Sequence, residues 1–210
     1  MKKGILTLLI LIITALPAMA APTNTSGPWG VDAGGFKNLS TALASPSTAG
    51  KTVVVSKPMT INNKTTDRTV AVTAAGRITV ASGKQLSMPT PLAGRHLIYD
   101  GTGTVILTKG GTVYPEWKGA ATNNPAINSG PAIIWAGNTG LRVELALGEY
   151  LCDGTPMNVT GWKMYGQGWS TEGTETKHTK LKFINLGTNP AMRTTQQVGN
   201  RRPAILENFM

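Results

Sequence analysis

The sequence predicts an all-β fold of stacked parallel strands, and three observations predict it. Val53, Ile78 and Val105 form one apolar column, Val55, Val80 and Leu107 a second, and Ile61, Leu86 and Val113 a third. All share one pair of offsets, first 25 and then 27. Gly76 and Gly83 recur at the second of these offsets as Gly103 and Gly110. With 25 Gly, 13 Pro and only 6% aromatic residues, the chain suits short strands and tight turns. A fixed period in the twenties, built from β-branched strands and Gly-punctuated turns, marks a solenoid. Three short strands per coil give a roughly triangular parallel β-helix. Two packed sheets of hairpins compete with it, but hairpins would not require a constant offset.

Taken in order, residues 1–20 read as a secretory signal. Lys2 and Lys3 start it, an apolar run covers 5–16, and Ala18-Met19-Ala20 supplies a cleavage site. The run is short of the roughly 20 residues of a spanning helix, and an uncleaved anchor is the alternative. The mature protein is expected to be secreted, periplasmic or at the cell surface. Residues 21–50 form a lead-in with a capping helix. Phe36, Leu39 and Leu43 have helical spacing and Pro46 stops it. Such a helix would seal the open apolar end of a first coil.

Residues 51–113 carry the N-terminal coils, with period-two strand candidates at 52–55, 59–61, 69–72, 77–80, 85–88, 96–99 and 104–107. Arg68, Val70 and Val72 return as Arg95, Leu97 and Tyr99. After Val113 the rhythm breaks, and residues 114–210 are read as a break region, a short helix and renewed coils. Pro131 suits the first turn of a helix over 131–137 and Gly137 its end. The coils resume at a pitch of 19, through Val143, Trp162 and Leu181, and through Leu145, Met164 and Phe183. Residues 203–210 are strand-like and stop without a cap, so the chain reads as the N-terminal part of a longer protein.

A formal net charge of +10, about +8 without Lys2 and Lys3, favours acidic partners such as uronic-acid polysaccharides or anionic surfaces. A solvated basic surface explains it equally well. The basic residues are scattered, without the aromatic-interleaved patch of a nucleic-acid binder. Cys152 is the single cysteine, so no internal disulfide forms, and its strand context favours a buried inert thiol over a nucleophile. His96 and His178 are far apart and lack a ligand cluster, which argues against zinc.

From Phe36 to Trp117 the chain resembles the N-terminal region of exported proteins of the pectate-lyase superfamily of right-handed β-helices. The carrying elements are Leu39 and Leu43, Gly50-Lys51-Thr52-Val53-Val54-Val55, Ile78-Thr79-Val80-Ala81-Ser82-Gly83-Lys84 and Val113-Tyr114-Pro115-Glu116-Trp117. Lys118 stands where the family has an aromatic, while Gly119-Ala120 are kept. Further on, Gly148-Glu149-Tyr150-Leu151 and Tyr165-Gly166-Gln167-Gly168 occur in the matching order. The family's paired aspartates are replaced by Asn123-Asn124-Pro125 and Ser129-Gly130-Pro131.

The resemblance implies a right-handed β-helix that binds or acts on polysaccharide. It implies calcium and a cationic base for lyases, and paired carboxylates for hydrolases. The only close acidic pairs are Glu172 with Glu175 and Glu149 with Asp153, so no catalytic, cofactor-binding or metal residue is assigned. Arg201 and Arg202 are candidates for an acidic sugar, but neighbours on a strand face opposite ways. Glu116 either satisfies free backbone amides at the break or binds sugar. Trp135, Trp162 and Trp169 either stack on sugars or pack in the core. Two functions stay open: a polysaccharide lyase, hydrolase or epimerase with its catalytic residues further along a longer chain, or a non-catalytic glycan binder such as an adhesin or tailspike-like receptor binder. A folding cap for something larger fits either.

Overall fold

Strand by strand, the chain visits three sheets in rotation. The computed structural model describes residues 30–167, 179–193 and 205–207; the expected signal at 1–20, His178, Trp169, Glu172, Glu175, Arg201 and Arg202 lie outside these. The first half comprises β1 (Gly30–Asp32), α1 (Leu39–Ala44), β2 (Thr52–Val55), β3 (Pro58–Ile61), β4 (Lys64–Thr65), β5 (Val70–Val72), β6 (Arg77–Val80), β7 (Gln85–Met88), β8 (Leu92–Ala93), β9 (Tyr99–Asp100) and β10 (Thr104–Leu107). Sheet A runs β1-β2-β5-β8, sheet B β3-β6-β9 and sheet C β4-β7-β10.

The second half comprises β11 (Thr112–Val113), α2 (Gly130–Asn138), β12 (Arg142–Glu144), β13 (Gly148–Asp153), β14 (Met157–Asn158), β15 (Lys163–Tyr165), β16 (Thr179–Ile184), β17 (Met192–Arg193) and β18 (Ile205–Glu207). It builds sheet D as β11-β12-β15-β18, sheet E as β13-β16 and sheet F as β14-β17. Every ladder among the described strands is parallel, which excludes antiparallel hairpins there. Alternation makes these segments strands: in β2, β6 and β10 every second side chain is buried. The inward set, including Val53, Val55, Ile78, Val80, Val105 and Leu107, joins one apolar core. Each fully buried Val or Leu contributes about 1.5–3 kcal/mol.

The expected columns are not the stacking neighbours. Val53 pairs with Val70 in sheet A, Ile78 lies between Met59 and Tyr99 in sheet B, and Val105 pairs with Leu86 in sheet C. Val55, Val80 and Leu107 are likewise split, and so are Ile61, Leu86 and Val113. The physical reason lies in the rotation. Val53 to Met59 is a step from one sheet to the next within a circuit, and Met59 to Ile78 is a full circuit to its true neighbour. The offset of 25 is therefore one circuit plus one change of sheet. In the second half Val143 stacks on Met164 and Leu181 on Tyr150, so the columns at a pitch of 19 fail as well.

In two circuits a helix replaces strands. β1 and β2 are adjacent in sheet A with α1 between them, and β11 and β12 are adjacent in sheet D with α2 between them. β1 was not anticipated, because so short a strand with the single inward residue Val31 has no readable period. Helix α1 starts later than Phe36. Asn38 caps it, its side-chain oxygen accepting from the Thr41 amide at 2.8 Å. α2 extends slightly beyond the expected span at both ends, from Gly130 to Asn138. Gly137 lies inside it, because a Cβ there would collide with the Trp162 ring; its glycine serves packing, not helix termination. Gly76 has the same kind of reason, since a Cβ would strike the Val55 carbonyl.

The strand expected at 96–99 is instead irregular backbone between β8 and β9, with only Tyr99 in a strand. Trp117 takes over the intervening backbone: its indole N–H donates to the Gly94 carbonyl at 2.9 Å, and its own carbonyl accepts from the Ile98 amide at 3.1 Å.

Candidate functional site

Two polar constructions stand out, one closed and one open. The closed one sits at the break after β11. Pro115 opens a 3-10 turn, Pro115–Lys118, and Gly119 ends it in the left-handed region at φ 92°. Trp117 is buried edge-on to Tyr99 and Tyr114. Glu116 is 8% exposed. One oxygen accepts from the Tyr150 hydroxyl at 2.6 Å and faces the Arg95 guanidinium at 3.5 Å. Arg95 also donates to the Glu144 carbonyl at 2.9 Å, faces the Glu144 carboxylate at 3.5 Å and stacks over the Tyr114 ring.

Glu116 does not bind free backbone amides. The Tyr150 hydroxyl performs that task, accepting from the Ala146 amide at 2.8 Å while donating to Glu116. Burial, and then the Glu116 charge, hold the Tyr150 phenol well above its ordinary range. The phenol therefore stays a protonated donor. Glu116, Glu144 and Arg95 tie the break to β12 and β13, while Glu144 also pairs with Arg142 at 2.9 Å and the second Glu116 oxygen is buried without a hydrogen-bond partner among the described residues.

The open construction lies along β13. Tyr150 and Cys152 point inward, while Glu149, Leu151 and Asp153 lie on the partly exposed outer face. β16 sets Lys180 beside Glu149 and Lys182 beside Leu151. The loop before α2 runs along the other edge of β13. Asn123 bonds the Glu149 backbone twice: its amide donates to the Glu149 carbonyl at 2.7 Å and its side-chain oxygen accepts from the Glu149 amide at 2.9 Å. Asn128 grips Asp153 through its side chain alone, donating to the carbonyl and accepting from the amide, and the Ser129 amide donates to the Leu151 carbonyl. Asparagine side chains thus complete an otherwise bare strand edge.

Asn123, Asn124, Pro125, Glu149, Leu151 and Lys182 line a half-open cleft of about 380 Å³. The Lys182 ammonium lies 3.3 Å from Glu149.

Of the expected candidates, Glu149 lies in this cleft but Asp153 does not act with it. Their spacing along a strand separates them by roughly 13 Å, beyond the roughly 5–10 Å of a glycosidase pair. The Asp153 carboxylate accepts instead from Asn185 at 2.8 Å. Calcium takes six to eight oxygens, and among the described residues no three carboxylate, His or Cys groups come together. Trp162 is buried and donates to Asn138, so it is no sugar platform, while Trp135 is half-buried against the core, edge-on to Tyr99. Cys152 is buried, and burial pushes its thiol up to about 12. His96 contacts the Thr73 carbonyl. Half-buried Lys118 reaches the Gly101 carbonyl at 3.4 Å; burial lowers its pKa, with Asp100 opposing.

Sequence reasoning registered Asn123 and Asn124 only as missing carboxylates and did not single out Lys182. Their signal is spatial, since the pairing of β16 with β13 joins segments far apart in the chain. No family model, curated protein or solved structure matches the chain. Among the described residues, no helix is long and apolar enough to cross a membrane.

Proposed function

We propose that this chain is an exported right-handed parallel β-helix of the pectate-lyase type whose task is to bind polysaccharide in the cleft beside β13. The all-parallel ladders, filled in rotation from three strands per circuit, support the solenoid reading. The leader-like start, residues 1–20, supports export. The observation that carries binding is the cleft itself. It gathers two amide side chains, one carboxylate, one ammonium and an apolar floor on the outward side of a rigid sheet. Binding is favoured over catalysis because the buried Glu116 is committed to Tyr150 and Arg95, and Asp153 lies too far along β13 to pair with Glu149.

The full chain is to be tested against a broad panel of immobilised oligosaccharides, with soluble product measured in parallel. Saturable binding without new reducing ends or unsaturated products is expected. Product formation would replace the binder with an enzyme, and no binding to any glycan would remove the reading.

A further inference from the structure

The geometry points to a neutral sugar carrying an acetamido group, an N-acetylhexosamine unit, as the cleft's ligand in preference to a uronic acid. This deepens the binding reading and rests on it. The side-chain oxygens of both asparagines are committed: Asn123 accepts from the Glu149 amide at 2.9 Å, and Asn124 from the Ala126 amide at 3.1 Å. Each side chain therefore offers its NH2 group, and among the described residues neither NH2 has a partner. Glu149 holds Lys182 at 3.3 Å through one oxygen and keeps the other as an acceptor. Leu151 and Pro125 supply apolar surface.

An acetamido group needs one donor for its carbonyl, one acceptor for its N–H and an apolar seat for its methyl. The cleft provides all three: an asparagine NH2, the Glu149 carboxylate, and Leu151 with Pro125. A uronate carboxylate offers acceptors alone and would lie against Glu149. Among the described residues the one ammonium lining the cleft lies 3.3 Å from Glu149, so an anion seated there would compete with that carboxylate for it.

The test titrates the full chain with triacetylchitotriose, cellotriose and trigalacturonate while following the asparagine side-chain NH2 signals by nitrogen-15 NMR. Triacetylchitotriose is expected to bind most tightly and to shift the Asn123 and Asn124 signals. Asn124→Asp keeps the oxygen that caps Ala126 and removes the donor. It should weaken that binding about threefold to tenfold, as expected for one hydrogen bond, with the melting temperature unchanged. Tightest binding by cellotriose or trigalacturonate, or binding that leaves both asparagine signals unmoved, overturns the acetamido assignment and leaves the polysaccharide reading intact. A glycan panel on which the best ligand lacks an acetamido group does the same. A panel with no ligand removes both.

Discussion

The two helix-bearing circuits are built on one plan and held by different forces. In the first, β1 leads through α1 to β2, and the fastenings are short and local. Asn38 caps the helix, the Thr48 hydroxyl donates to the Ala42 carbonyl at 2.7 Å, and Leu39, Ala42 and Leu43 pack inward. Two longer ties are neutral or singly charged: Arg68 donates to Thr48 and to the Ser45 carbonyl, and the Ser56 hydroxyl donates to the Asp32 carboxylate at 2.8 Å. In the second, β11 leads through the Pro115 turn and α2 to β12, and the ties are long-range and partly charged. Arg95, Glu116, Glu144 and Tyr150 join segments well separated in the chain. The Tyr99, Trp117 and Trp135 rings fill the space between. α1 abuts β2 and β3, whereas α2 contacts the Pro115 turn, β12, β13 and β14. The polar knot ties the Pro115 turn to β12 and β13, and the Trp135–Tyr99 ring contact sets α2 against β9.

The comparison breaks most readily at the helix–core contacts. Gly137→Ala drives a methyl into the Trp162 ring and should cost about 3 kcal/mol by thermal or urea unfolding. For a chain of this size that is a fall of roughly 6–12 °C in melting temperature. Little change would mean that α2 does not seat on Trp162.

Next, Glu116→Ala strands the Tyr150 hydroxyl and leaves Arg95 short of one carboxylate. About 2 kcal/mol is expected, below the figure for a fully buried pair because Arg95 is 24% exposed. Tyr150→Phe should lose about as much, because the Ala146 amide is orphaned. If the double variant loses the sum of the two, the knot is not a network.

Asn38→Ala removes only a cap and should cost about 1 kcal/mol. A larger loss than that of Glu116→Ala would reverse the contrast between local and long-range fastening.

A last effect appears only at alkaline pH. Cys152 titrates at about 12 when folded against an ordinary value of 9.0. The unfolded chain thus releases its thiol proton first. The stability this contributes is complete below about pH 9 and is lost as the pH rises toward 12. Unfolding curves at mildly and strongly alkaline pH should diverge less in Cys152→Ala than in the native chain.

Much of the strand content was legible, and the stacking was not. The strands 52–55, 77–80, 85–88 and 104–107 fall where alternation and flanking turns place them, because an inward Val or Leu at every second position is a local signal. Lys64–Thr65 and Leu92–Ala93 are too short to show a period. Register is a property of neighbouring circuits whose lengths vary: the step from Val53 to its partner Val70 is shorter than the step from Ile78 to Tyr99. A constant offset was therefore the wrong thing to seek. Arg68 and Arg95, matched in sequence at the second offset, occupy no common register, yet each anchors a helix-bearing circuit. In the cleft, Glu149 was visible as half of an acidic pair. Its working neighbours, Asn123 and Lys182, emerge only when the loop and β16 close on either side of β13.

The central claim, parallel circuits in this register, is tested most directly by NMR couplings transmitted across backbone hydrogen bonds. The account predicts a coupling from the Val53 amide to the Thr69 carbonyl, from Thr73 to Val55, and from Ile78 to Ile98. A coupling from Ile78 to a carbonyl flanking Val53, or reciprocal pairs of the antiparallel kind, would contradict it.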